Sequence, residues 1–126
     1  MQSIAYIYAL VAQDDGASVT ADNCERIQVL YAIGGMDESD YRLSSAEVYD
    51  PDQDTWLSVA SMSVARYGLG VATLGNKIYA VGGAYSGYHG SVEVYDPDQN
   101  TWETIASMNV ARESLGAATL GNKIYA

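Results

Sequence analysis

The chain of 126 residues contains no phenylalanine, one cysteine and one histidine. Cys24 cannot form a disulfide within the chain, so cysteine usage does not define the redox compartment. Cys24 and His89 alone cannot supply a converging set of metal ligands, and we therefore expect neither a metal nor another cofactor. Nothing around His89 resembles a nucleophile turn that would suit a Ser-His-Asp arrangement, so we also expect no enzymatic activity.

Basic residues are also scarce. The sequence has six lysines and arginines and 16 aspartates and glutamates, which gives a net charge of −10. Such a surface repels nucleic acid and anionic membranes, so we expect neither as a partner. Many of the acids, such as Asp50, Asp52 and Asp96, lie in turn-like sequences, which favours solvated loops; a basic peptide partner is the alternative. No apolar run approaches the roughly 18 residues of a membrane-spanning helix.

The first 29 residues match nothing else in the chain. Residues 1–12 are rich in Ile, Tyr and Val, which favours a β-strand, and residues 13–23 have the polar composition of a loop. The alternative for residues 1–12 is a signal peptide, but a basic start and a small-x-small cleavage site are lacking. We therefore treat residues 1–29 as an atypical N-terminal segment and favour a cytoplasmic location over export.

Much of the remaining sequence occurs twice, as an internal repeat. Residues 48–56 return as residues 94–102, and residues 73–80 return letter for letter as residues 119–126, in both cases 46 positions later. Arg66 and Arg112 have the same separation. A fixed period of this length indicates a repeat architecture, in which each unit buries its apolar face against the next.

Each period predicts four short strands. The second period has them at residues 69–74, 77–81, 91–95 and 101–105, and the first repeats the last two at 46–49 and 55–59. Gly75-Asn76 suits a tight hairpin with the glycine at positive φ. An Asp-Pro-Asp turn separates the last two strands of each period.

Several residue types recur in register: a double glycine, a tyrosine after it and then a tryptophan. These are Gly34, Gly35, Tyr49 and Trp56 in the first period, and Gly82, Gly83, Tyr95 and Trp102 in the second. Over residues 30–126 the pattern resembles the kelch repeat of about 50 residues. The resemblance implies an all-β fold: a partial β-propeller of four-stranded kelch blades, about two and a half in number. The implied blades are 31–66, 67–112 and the start of a third at 113–126.

Propellers typically close with about four to eight blades. The chain is therefore expected to be either a piece of a larger propeller or a subunit of an assembly that closes between chains. On its own it should self-associate, because the strands of the third blade lack partners. The recurring Tyr49, Trp56, Tyr95 and Trp102 should pack between blades rather than line a ligand pocket.

Function is expected on the loops. In a propeller, the loop after each double glycine and the loop from the outer strand to the next blade emerge on one face, and their sequences differ here between blades. In the kelch domains of ubiquitin-ligase adaptors, arginines and serines of these loops receive peptide motifs. For Arg66 and Arg112 a structural role is the alternative. The partner-binding candidates are Arg66, Tyr67, Tyr85, Ser86, Tyr88, His89, Arg112 and Ser114.

The resemblance thus predicts a module that binds a protein or peptide, and it suggests the substrate-recognition part of a cullin ubiquitin-ligase adaptor. No BTB or BACK domain lies in these 126 residues, so that role requires a longer protein. The acidic surroundings oppose the acidic motifs that such adaptors often bind. The alternative is a sugar-active kelch propeller similar to bacterial sialic acid mutarotases.

Overall fold

A computed structural model describes residues 10–12 and 28–126, and in these residues the fold is built from antiparallel sheets without a helix. Blade 1 is a four-stranded sheet in the order β1 (Leu10–Ala12), β2 (Gln28–Ile33), β3 (Ala46–Asp50) and β4 (Thr55–Val59). Blade 2 repeats it with β5 (Gly70–Leu74), β6 (Lys77–Val81), β7 (Val92–Asp96) and β8 (Thr101–Ile105). The third hairpin is β9 (Ala118–Leu120) and β10 (Lys123–Tyr125). The predicted all-β partial propeller is confirmed.

The N-terminal segment contributes β1, which pairs with β2 in the register Leu10 to Leu30. Part of the strand predicted in residues 1–12 is therefore present as an added strand of blade 1. The remainder of that prediction, and the loop predicted at residues 13–23, lie outside the described residues. No helix found in the described ranges is long and apolar enough to cross a membrane.

Local turn chemistry explains the strand boundaries. Gly75 adopts φ +61°, and the hairpin closes with Leu74 opposite Lys77. Asn100 stands at φ +51° just before β8, a conformation that asparagine tolerates better than most residues. Its hairpin sets Tyr95 opposite Trp102, with ring centroids 5.1 Å apart.

The main core lies between the blades. Ile33 of blade 1 and Leu69 and Ile78 of the second repeat are essentially inaccessible to solvent. The ring of Tyr95 meets the ring of Tyr31 edge-on, with centroids 5.9 Å apart. Burial of these apolar side chains is the main force that holds one sheet against the next.

Hydrogen bonds also join the blades at Ala60, just after β4. The indole N–H of Trp102 donates to the Ala60 carbonyl over 2.7 Å. The Ala60 N–H donates to Oδ1 of Asn100 over 2.8 Å, and the same oxygen accepts the Tyr95 hydroxyl. Side chains of blade 2 thus satisfy both backbone groups of one residue of blade 1.

The third hairpin packs beside β5, where the Thr119 hydroxyl donates to the Thr73 carbonyl. Within the described residues, β10 pairs with β9 alone, whereas its counterpart β6 lies between β5 and β7. One edge of β10 is thus unpaired within the described residues.

Candidate partner-binding face

The double glycines bring the two sets of loops together. Gly83 N–H donates to the Arg112 carbonyl, and Gly35 N–H donates to the Arg66 carbonyl, each over 2.8 Å. Gly82 has φ +64°, and a Cβ built on it would lie 2.6 Å from the Arg112 carbonyl oxygen. Such an approach requires glycine. Each loop after a double glycine is thereby fixed against the loop that leaves the outer strand.

Three of the candidate tyrosines lie together at this end of blade 2. Tyr67 forms an antiparallel bridge with Ala84, and Ala84 forms another with Tyr88. Tyr85 and Tyr88 are 55% and 68% exposed, and Tyr67 is half-buried. The guanidinium of Arg42, from the loop of blade 1, lies 5.3 Å from the centroid of the Tyr67 ring. We call Arg42, Tyr67, Tyr85 and Tyr88 the tyrosine face.

Ser114 borders this face. A Cβ on Gly68, next to Tyr67, would lie 3.0 Å from both the Ser114 nitrogen and a Glu113 carboxylate oxygen. Ser114 is exposed, has φ +50°, and its hydroxyl donates to the Glu113 carboxylate over 2.6 Å. Ser86 is exposed in the loop between Tyr85 and Tyr88. Both serines are therefore accessible to a ligand that contacts the tyrosines.

His89 is placed differently. Its N–H donates to the Gly83 carbonyl and its carbonyl accepts the Arg112 N–H, so its backbone closes the base of the loop. The residue is half-buried, and Nε2 is enclosed without a hydrogen-bond partner among the described residues. His89 presents less surface to a partner than Tyr85 or Tyr88.

Arg66 is fully buried and forms part of the contact between the blades. Its guanidinium donates to the Gly82 and Ser91 carbonyls over 2.8 and 2.9 Å, and it forms a 2.7 Å salt bridge with Glu93. This arrangement corresponds to the structural alternative for Arg66. The side chain cannot reach a partner, so we leave it out of the binding surface.

Glu93 completes this network from β7. One carboxylate oxygen accepts the N–H and hydroxyl of Ser63, and the other accepts from Arg66. Burial alone would raise the pKa of Glu93, but the Ser63 backbone N–H, Arg66 and the Ser63 hydroxyl together lower it. The carboxylate is thus held ionised as the counterion of the buried arginine.

Arg112 has the same position in the repeat but a different environment. It is exposed and lines an open pocket of about 370 Å³ between blade 2 and the third hairpin. The other polar side chains of the lining are the neutral Tyr79 and Asn109. No salt bridge to Arg112 is present in the described part of the chain. The structure therefore separates Arg112 from Arg66 and leaves it accessible.

Sequence reasoning did not include Arg42 or Glu93 in the site. Arg42 lies in the loop after the first double glycine, but its contact with Tyr67 joins loops of two blades and is specified by no local sequence pattern. Glu93 could have been recognised from the sequence, because Glu47 and Glu93 recur 46 positions apart within largely apolar strands. Arg66 and Arg112 recur with the same separation in the loops, which would have suggested an acidic and a basic partner in each repeat.

The acidic loop of blade 1, residues 36–44, is held by hydrogen bonds between its own residues. Oδ1 of Asp37 accepts the N–H groups of Ser39 and Tyr41 over 2.9 and 3.0 Å, and these bonds fix the shape of the loop. Across the described ranges, no three side chains of His, Cys, Asp or Glu gather in a way that could hold a metal ion. The tyrosine face itself offers aromatic area, hydroxyls and one guanidinium, with acidic side chains of the neighbouring loops beside it.

The two repeats of this chain match a known protein family. The family model of the Kelch motif matches residues 28–63 and 65–109. Human Kelch-like protein 28 is 38% identical over 56 residues, which cover 44% of this chain and 10% of the relative. Human Kelch-like protein 5 is 58% identical over 43 residues, which cover 33% and 6%.

A plant relative shows the same pattern. An F-box/kelch-repeat protein of Arabidopsis thaliana is 39% identical over 54 residues, which cover 43% of this chain and 14% of that protein. The matched region therefore spans between 6% and 14% of the length of these three relatives.

Proposed function

The chain belongs to the kelch-repeat family and is a protein-interaction module, and we propose that it binds its partner through the tyrosine face and the adjoining Ser86 and Ser114. The observation that carries this proposal is the exposure of Tyr85 and Tyr88 beside the Arg42–Tyr67 pair. Single exposed aromatics are ordinary on protein surfaces, but several on one loop cluster indicate an interaction site.

The chemistry of the face favours a peptide or protein ligand. Tyrosine and arginine supply much of the binding energy in protein interfaces, because they combine rigid area with directional hydrogen bonds. Asp37, Asp40 and Glu113 lie near the same loops, and the chain carries a net charge of −10. Electrostatics therefore favours a ligand segment that is neutral or basic over a strongly acidic one.

The test is partner capture with matched variants. Protein captured from extracts of the source cells by the wild-type chain should be lost with the double change Tyr85→Ala and Tyr88→Ala, while circular dichroism stays unchanged. Changing both tyrosines to Phe should retain most of the binding if ring area dominates, and should lose it if the hydroxyls do.

The control variant lies at the opposite end of the sheets. Asn76 and Asn122 are exposed in the hairpin turns of blade 2 and of the third hairpin. Changing both to Ser should leave capture intact. If the Asn changes reduced capture more than the Tyr changes, the partner would bind the opposite end and the proposal would be wrong.

A finer proposal concerns the longer protein. We propose that the captured partner is the substrate of a cullin ubiquitin ligase, for which this module provides recognition, as the resemblance to kelch-type adaptors suggests. In cells, the partner should carry more ubiquitin when the full-length protein is present. The excess should disappear with the Tyr85→Ala and Tyr88→Ala variant. An unchanged ubiquitin level would remove the ligase role but retain the binding function.

The sugar-active alternative has its own distinguishing measurement. Exchange of sialic acid anomers can be followed by NMR with the purified chain. A catalysed exchange would favour that alternative, and capture that is insensitive to sialic acid would favour the interaction module.

A further inference from the structure

Arg66 is hydrogen-bonded to both of the loops that carry the tyrosine face. Its backbone closes the loop of residues 36–44. The Arg66 N–H donates to the Leu43 carbonyl over 3.1 Å, and the Arg66 carbonyl accepts the Gly35 N–H over 2.8 Å. Arg42 directly precedes Leu43 in this loop. The position of Arg42 therefore depends on where the backbone of Arg66 lies.

The side chain of Arg66 holds the second loop, residues 84–90, at both of its ends. Nη1 donates to the Gly82 carbonyl over 2.8 Å and to the Ser91 carbonyl over 2.9 Å. These two residues flank the loop and are joined to each other, since the Gly82 N–H donates to the Ser91 carbonyl over 3.0 Å. One guanidinium nitrogen thus contacts the backbone on both sides of the loop that carries the exposed tyrosines.

Glu93 fixes the orientation of this guanidinium. Nη2 of Arg66 donates to Oε2 of Glu93 over 2.7 Å and to the Ser91 hydroxyl over 3.2 Å. The other oxygen of Glu93 accepts the N–H and the hydroxyl of Ser63. Arg66 and Glu93 are 0% and 1% exposed, so solvent does not compete for these bonds. A planar guanidinium with partners on both terminal nitrogens has little freedom to move.

We propose that Arg66 is the positioning residue of the partner-binding face. Buried and out of reach of a ligand, it holds the loops of residues 36–44 and 84–90 in the relative position at which Arg42 meets Tyr67. Its effect on binding rests on the proposed function, whereas its effect on the loops does not. Without Arg66 the loops should move independently, and a partner that contacts both would have to order them on binding.

Substitution of both members of the ion pair separates positioning of the loops from stability of the fold. Arg66→Met with Glu93→Gln leaves no buried charge without a counterion, and the Gln amide oxygen can still accept from Ser63. Replacement of both partners of a buried pair by neutral residues of similar volume is often tolerated. The double variant should therefore fold, which circular dichroism checks, while residue 66 no longer donates to the Gly82 and Ser91 carbonyls.

Hydrogen–deuterium exchange of the full 126-residue chain measures the positioning directly, with mass spectrometry of peptides from each loop. In the double variant, amides of residues 36–44 and 84–90 should exchange about tenfold faster or more, because a hydrogen bond to a charged group commonly contributes at least that factor. Amides of β6 and β7 should change by less than about twofold, since the hydrogen bonds between these strands remain. If the loops and strands accelerate equally, or the loops do not accelerate, the proposal is overturned.

Trp102→Ala is the matched control. The Trp102 indole also joins the two blades, through the Ala60 carbonyl, but both residues lie outside the two loops. This change should weaken the contact between the blades and leave exchange of the loops, relative to that of β6 and β7, unchanged. If Trp102→Ala accelerates the loops as much as the double variant does, Arg66 acts only by joining the blades and does not position the face.

Partner capture from extracts of the source cells distinguishes this inference from the proposed function. The double variant should reduce capture by about fivefold or more, the cost of ordering one or two mobile side chains on binding. If Tyr85→Ala with Tyr88→Ala leaves capture unchanged, the proposed function fails, but faster exchange of the loops in the double variant still supports the positioning role. If the tyrosine changes abolish capture and the double variant alters neither exchange nor capture, only the positioning role is overturned.

Discussion

Arg66 and Arg112 occupy the same position of the repeat and have opposite environments. Arg66 is inaccessible to solvent and its guanidinium contacts Glu93, whereas Arg112 is exposed. Strand β7 covers Arg66, and no strand takes that place over Arg112 among the described residues. The same residue type is therefore buried in an ion pair at one position of the repeat and exposed at the other within the described residues.

This pair gives a matched prediction of stability. Arg66→Ala removes one partner of a buried ion pair and leaves Glu93 uncompensated, so it should reduce the free energy of unfolding by about 3–5 kcal/mol. Arg112→Ala removes the same side chain at an exposed position and should change the free energy by less than about 0.5 kcal/mol. Urea denaturation measures both. Equal losses would show that the Arg66–Glu93 pair does not stabilise the fold.

The two tryptophans form a second matched pair. Trp102 is half-buried and its indole N–H donates to Ala60 of the other blade, while Trp56 is 39% exposed. Trp102→Ala should therefore cost about 2–4 kcal/mol, and Trp56→Ala about 1 kcal/mol. Thermal unfolding of both variants compares them. If Trp56→Ala cost as much, the contact with Ala60 would not explain the importance of Trp102.

At the scale of the element, the four strands of the second period and the last two of the first could be predicted from the sequence to within about a residue. The predicted strand at residues 69–74 is β5 (Gly70–Leu74), and the one at 101–105 is β8 (Thr101–Ile105). The reason is local: alternating β-prone residues between glycine and Asp-Pro turns determine where a strand begins and ends. Repetition of the pattern in the chain also made the kelch resemblance specific, and the family comparison confirms it.

Contacts between elements could not be predicted in the same way. The Arg66–Glu93 salt bridge and the Arg42–Tyr67 contact join residues of different blades. They depend on how one sheet lies on the next, which no local pattern specifies. This is why the assignment of Arg66 stayed open between two roles, and why Arg42 was absent from the predicted site.

The double-glycine turn can be tested against a hairpin turn of similar backbone conformation. Gly82 and Gly75 have φ angles of +64° and +61°, but a Cβ on Gly82 would meet the Arg112 carbonyl at 2.6 Å, and one on Gly75 would meet no atom within 4 Å. Gly75→Ala should cost about 1–2 kcal/mol from the left-handed conformation alone. Gly82→Ala should cost about 1–3 kcal/mol more, since the clash adds to it. Equal denaturation midpoints would show that the loops are not fixed by this close approach.

At the scale of the whole molecule, the described structure has two unlike ends. Blade 1 presents Tyr49 and Trp56, whose counterparts in blade 2 contact the preceding sheet. The other end presents β10 with one unpaired edge and the pocket at Arg112. Neither the two blades nor the hairpin forms a closed ring in the described residues, so backbone groups and apolar area remain accessible at both ends.

We therefore expect the purified chain to self-associate, with pairing of β10 edges as the main route. Light scattering should give a mass above the 13.5 kDa of one chain, and the mass should rise with protein concentration. Tyr125→Lys should lower the mass, because a lysine on an exposed edge strand opposes pairing with another copy. Tyr125 is 56% exposed, so this change should leave the fold intact. A monodisperse monomer of 13.5 kDa that melts cooperatively would contradict self-association and show that the β10 edge is protected without a partner.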